Sequence, residues 1–99
     1  MVTDDEERLP LEDLLPSPDA GPETQYARRV LLEALEVALA ELPPDQREVF
    51  VAHEIEGRNF KEIAAETGVG VNTLLSRKRY AVLRLRERLR RTYEDLTKP

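Results

Sequence analysis

The sequence predicts an all-α fold, a four-helix domain containing a helix-turn-helix, and three observations carry that prediction. Apolar residues recur at three- and four-residue spacing along most of the chain, Pro and Gly punctuate the pattern, and no strand-like alternation survives anywhere. At 99 residues with 40% hydrophobic content, the chain can bury one modest core.

Residues 1–22 read as an acidic arm, interrupted by Pro10, Pro16, Pro18 and Pro22, which break helices and remove backbone donors. Leu9, Leu11, Leu14 and Leu15 could form a short amphipathic turn there, but a solvated linker is the simpler expectation. From Glu23 to Leu42 the residues are strong helix formers, with Leu31, Leu35, Ala38, Leu39 and Leu42 on one face. Pro43 and Pro44 end this helix, and Pro44 suits the first turn of the next, where its missing N–H costs nothing. The second helix is expected from about Asp45 to Glu56, burying some of Val49, Phe50, Ala52 and Ile55 and stopping at Gly57. Asn59, with Glu62 three residues on, opens a third, short helix as a capping box. The run Thr67-Gly68-Val69-Gly70 supplies a positive-φ turn, and a fourth helix follows from Val71 or Asn72 to about Asp95. The folded domain is thus expected over residues 23–96, with 97–99 a tail.

Charge is divided unevenly. Residues 1–56 hold 15 acidic and 4 basic residues, a balance of −11, whereas residues 57–99 hold 5 acidic and 11 basic, a balance of +6. A basic module behind an acidic one suits a polyanionic partner, although a solvated basic face gives the same count. The absence of Cys excludes disulfides and thiolate metal sites and agrees with a cytoplasmic setting. The acidic start and short apolar runs argue against secretion and membrane insertion. His53 is the sole histidine, expected as a partly exposed helix residue and not as a metal ligand. Gly68-Val69-Gly70 is too short for a phosphate loop and follows a helix. The carboxylates lie on solvated faces with no pocket to tune them. Neither an enzyme, a cofactor nor a small-molecule substrate is expected.

The informative stretch runs from Phe60 to Ala81, where a short helix, a Gly turn and a second helix must cross steeply. Ile63 and Leu74 supply apolar contact, Ala64 lets the backbones approach, Gly68 takes the left-handed turn and Val69 plugs the corner. With Leu74 inward, an advance of about 100° per residue turns Asn72, Ser76, Arg79, Leu83, Arg86 and Arg90 outward, with Leu75 and Tyr80 on the flanks. Short polar groups and Arg near a helix N-terminus are what base edges in a major groove require. A solvated Arg-rich face is the plainer alternative.

The segments LPPDQREVF, EGRNFKEIAAETGV and NTLLSRKRYAVLRLRERL, between Leu39 and Leu89, resemble region 4 of bacterial sigma factors, specifically the extracytoplasmic-function (ECF) group. The Leu-Pro turn, Arg47, the Glu56-Gly57 helix end, Phe60, Glu62, Ile63, Ala64, Gly68, Thr73, Ser76 and Arg77 fall at that family's spacing. The resemblance implies a winged-helix-like DNA-binding domain without a wing. It would bind the -35 promoter element, dock on the RNA polymerase β flap and direct transcription initiation. It implies groove contacts at Leu75, Ser76, Arg79 and Tyr80, with Thr73 and Arg77 near phosphates. Asn59 and Lys61 would set a helix N-terminus and a positive charge against the DNA backbone, with Asn72 on the same outward face.

The chain departs from the family pattern at Leu75, where a basic residue is common, at Lys78, where an apolar one is, and at Tyr80, often Arg. Leu75 would meet a thymine methyl or nothing. Lys78 falls on the inward arc, where its stem is expected to cover apolar surface while its ammonium reaches water. A whole sigma factor also carries a region 2 domain with no counterpart in these residues. The chain is expected to be an excised C-terminal domain or a shortened relative, with Thr3 to Pro22 resembling the linker between regions 2 and 4. Two other readings are a response-regulator-type helix-turn-helix and an interaction module that binds polymerase or an anti-sigma factor without specific DNA contacts.

Overall fold

The computed structural model describes residues 21–98. The expectations for the acidic arm, including the turn at Leu9 to Leu15, fall on residues 1–20 and lie outside the described residues. The helices follow in the expected order: α1 (Pro22–Glu41), α2 (Pro44–Phe50) running on into a π-helical turn (Val51–Ile55), α3 (Phe60–Thr67) and α4 (Val71–Thr97). Among the described residues there is no strand.

Helix α2 starts as the prolines dictate. Pro43 is extended, with φ −54° and ψ 143°, Pro44 takes the first helical position, and the Arg47 N–H donates to the Pro43 carbonyl at 3.0 Å. Past Phe50 the ladder widens: the Glu56 N–H donates to the Val51 carbonyl at 2.9 Å and the Arg58 N–H to the Ala52 carbonyl at 3.0 Å. Gly57, at φ 72°, makes the reversal between them. Val49, Phe50 and Ala52 are buried as expected, and this π turn decides the two remaining positions, correcting the reading of His53. Ile55, a candidate for burial, is rotated outward and 64% exposed. His53, expected partly exposed, is turned inward and only 2% exposed. A π turn spreads one more residue over each turn of backbone, so α-helical phasing no longer assigns faces.

The described chain forms two compact units, one of Leu42–Leu83 and one of residues 21–41 with 84–98. In the first, Val49, Ala52, Phe60, Ile63 and Leu74 form the core, with Ala64, Val69 and Leu75 packed against it. The residues expected to meet between the two crossing helices are therefore the ones that do. Buried Phe50 and Val82 belong to the same unit, each such side chain contributing about 1.5–3 kcal/mol by leaving water. In the second unit Leu31 and Ala38 of α1 and Leu85 and Leu89 of α4 are buried. Leu35 and Leu39 are half-buried. There the Arg88 guanidinium donates to Glu41 at 2.9 Å, tying α1 to α4. Among the described residues no helix is long and apolar enough to cross a membrane.

Candidate nucleic-acid interface

The turn between α3 and α4 is held by local hydrogen bonds that its sequence encodes. The Asn59 side-chain oxygen accepts the Glu62 N–H at 2.8 Å, satisfying one of the orphan donors that open α3. At the other end Gly68 sits at φ 76° and its N–H donates to the Ala64 carbonyl at 2.9 Å. The Thr67 hydroxyl donates to the Ile63 carbonyl at 2.7 Å and accepts the Val69 N–H at 3.2 Å. The Gly70 carbonyl takes the Leu74 N–H at 3.1 Å, starting α4. The chain thus enters α4 with its direction set, and Leu74, 3% exposed, anchors the inward side.

The opposite side of α4 is exposed at Asn72, Thr73, Ser76, Arg79 and Tyr80, and Asn59 and Lys61 at the start of α3 are exposed as well. Leu75 and Arg77 differ, being half-buried. Leu75 leans on the core of its unit. The Arg77 guanidinium lies 3.5 Å from the Asp45 carboxylate, a pair partly in water and worth little to stability. All nine residues belong to the Leu42–Leu83 unit. A second surface feature of this unit is a cleft of about 460 Å³ with Val49, Ile63, Val69 and Leu74 in its lining and Asp45, Arg58 and Arg77 among its charged residues. Arg58 is itself paired with Glu56 and Glu66.

Lys78 corrects the sequence reading most. Its ammonium does not reach water: the residue is 0% exposed. The ammonium donates to Glu54 Oε1 at 2.5 Å and meets His53 Nδ1, and His53 stacks on Phe60 with ring centroids 4.2 Å apart. A charge on the inward arc was the available signal. Its partners, however, lie 24 and 25 residues back on the π turn. No group of His, Cys, Asp and Glu able to hold a metal ion occurs among the described residues.

A short helix, a glycine turn and a second helix with a polar, cationic outer side define a helix-turn-helix module. The model of the family Sigma-70, region 4 matches residues 32–85, so the chain belongs to the sigma-70 region 4 family, a family of DNA-binding domains of transcription initiation and not of enzymes. Among curated proteins it is similar to the ECF RNA polymerase sigma factor SigE of Mycolicibacterium smegmatis, with 40% identity over 72 residues. That match covers 72% of this chain and 28% of the relative, so the chain spans under a third of the protein it resembles. No solved structure matches.

Proposed function

We propose that this chain recognises a -35 promoter element through the first half of α4 and, by docking on RNA polymerase in the cytoplasm, directs transcription initiation. The observation that carries the reading is the outer side of α4, where Asn72, Thr73, Ser76, Arg79 and Tyr80 are exposed directly after a turn held by the Gly68-to-Ala64 and Leu74-to-Gly70 backbone bonds. In this reading Ser76, Arg79 and Tyr80 meet base edges, joined by whatever part of half-buried Leu75 reaches the groove. Asn72, Thr73, Arg77 and the start of α3 at Asn59 and Lys61 meet phosphates. Polymerase docking, or capture by an anti-sigma factor, is supported by the apolar-floored cleft, which has the composition a partner helix needs.

The test uses the -35 sequence that the chain enriches from randomised duplex DNA. Arg79→Ala is expected to cost about 1–3 kcal/mol on that sequence and less on a scrambled one, whereas Lys61→Ala weakens both nearly equally. If both variants lose the same affinity on both duplexes, specific readout by α4 is wrong and the interaction-module reading takes its place.

A further inference from the structure

Beneath α4, in the Leu42–Leu83 unit, lie two polar side chains closed to water: Lys78 is 0% exposed and His53 2%. Each packed element presents something to them. From the π turn come His53 and the Glu54 carboxylate, whose Oε1 is 3.9 Å from His53 Nδ1 and 2.5 Å from Lys78 Nζ. From α3 comes the uncharged ring of Phe60, its centroid 4.2 Å from the imidazole and 5.9 Å from the ammonium. From α4 comes Lys78 itself. An ammonium has only donors, so a ring nitrogen in contact with it must offer a lone pair. With the ammonium charged, Nδ1 offers that lone pair and the ring's hydrogen sits on Nε2, so that in these contacts one cation, Lys78, faces one anion, Glu54. A further proton would press two cations together out of reach of water, where charges are screened least.

We propose that Lys78 is a positioning residue for the recognition helix, held by Glu54 and a neutral His53, and that proton uptake by His53 releases the helix from this seat. The DNA consequence rests on the function proposed above; the lock itself does not. Lys78 is flanked by Arg77 and Arg79 and lies two residues from Ser76, so the seat of Lys78 also sets the aim of the proposed base contacts. An apolar residue would occupy the seat without reference to protons, and well-packed apolar replacements of buried ion pairs are often neutral or stabilising. Lysine there adds a dependence on one proton. The sign follows from linkage: below about pH 6.5 the unfolded chain protonates this histidine and the folded chain resists, so stability is full above that value and falls as the pH drops through it.

The experiment uses the whole chain, whose single histidine yields one imidazole signal by NMR. That signal, the Tm and the affinity for the enriched duplex are followed from about pH 7.5 to about pH 5.5, a window centred on the ordinary histidine value. We expect an Nε2-protonated neutral ring at the upper end of this window, which takes up a proton toward the lower end together with a Tm falling by several degrees and an affinity falling about tenfold for one unit of opposed protonation. Lys78→Met and His53→Gln should both flatten the Tm profile. Lys78→Met retaining the wild-type slope, or a folded-state imidazole that titrates with no change in Tm, would falsify the lock. If Lys78→Met does not fold, the wild-type imidazole signal and the His53→Gln profile decide by the same criteria. Absence of DNA binding at every pH, together with a Tm slope that the variants flatten, upholds the lock and removes only the DNA reading. Tight binding with affinity and Tm both independent of pH removes only the lock.

Discussion

The two stretches of α4 use the same residue type for different ends. From Val71 to Arg86 the helix has five basic residues and no acidic one; from Glu87 to Thr97 it has three basic and three acidic, with Lys98 just beyond its end. In the second stretch the charges satisfy each other along the helix: Arg90 bonds Glu87 at 2.5 Å and Glu94 at 2.6 Å, and Lys98 lies 3.5 Å from Asp95. The hydrogen bond from Arg90, aided by the charges of Arg90 and Arg91, holds the Glu87 carboxyl below the ordinary carboxylate range. The bond to Glu87, with that to Glu94, raises Arg90 in turn. In the first stretch Arg77 pairs with another helix, through Asp45. Arg84 and Arg86 are exposed, with no carboxylate in ion-pair reach among the described residues. Arg84 and Arg86, against the paired Arg88, Arg90 and Arg91, separate a surface for a polyanion from a helix bracing itself.

The largest effect expected is structural. Phe60, 1% exposed, supports the first stretch from below, and Phe60→Ala should cost about 3–5 kcal/mol in urea denaturation and remove DNA binding with it. A loss under about 1 kcal/mol would mean that the core relaxes around the gap and that this stretch is not seated as described. Next comes the contrast between arginines. Arg86→Ala should lower the slope of log affinity against log salt by about one, the signature of one lost phosphate contact, whereas Arg90→Ala should leave it unchanged. Equal slopes for the two variants would erase the distinction between the stretches. Smallest is Glu87→Gln. The lowered carboxyl contributes stability above its ordinary range that vanishes as acid takes the pH through its folded value, yet the group is fully exposed. Thermal melts at neutral pH and high salt should therefore superimpose on wild type; a clear loss would assign this ion-pair ladder a larger role in the fold.

How much of the fold and site was readable in advance depended on the distance over which each feature is decided. The break at Pro43 and Pro44, the Asn59 cap and the left-handed turn at Gly68 are set within four residues, and each forms where the residues indicate. Ile63, Ala64, Val69 and Leu74 were legible because both helices there keep regular phasing. The interior fate of Lys78 was half legible. Its inward phase could be counted from Leu74, but its counter-charge could not, because no residue pattern announces an i to i+5 hydrogen bond. The outward turn of Ile55 and the inward turn of His53 have that same cause. Asn72, Ser76 and Arg79 turn outward as the helix period requires, whereas the depth of Leu75 depends on how closely the unit packs beneath it.

The widened turn at Val51–Ile55 also couples chain length to chemistry. Shortening that stretch by one residue would restore ordinary pitch and swing the residues C-terminal to the deletion by about 100° around the axis. Glu54 would then leave the ammonium it neutralises, and a lysine at position 78 would become a stranded cation. Descendants of this chain can lose the surplus residue or keep the lysine, but losing the one demands replacing the other, so a deletion here and an apolar substitution 24 positions downstream should travel as a pair.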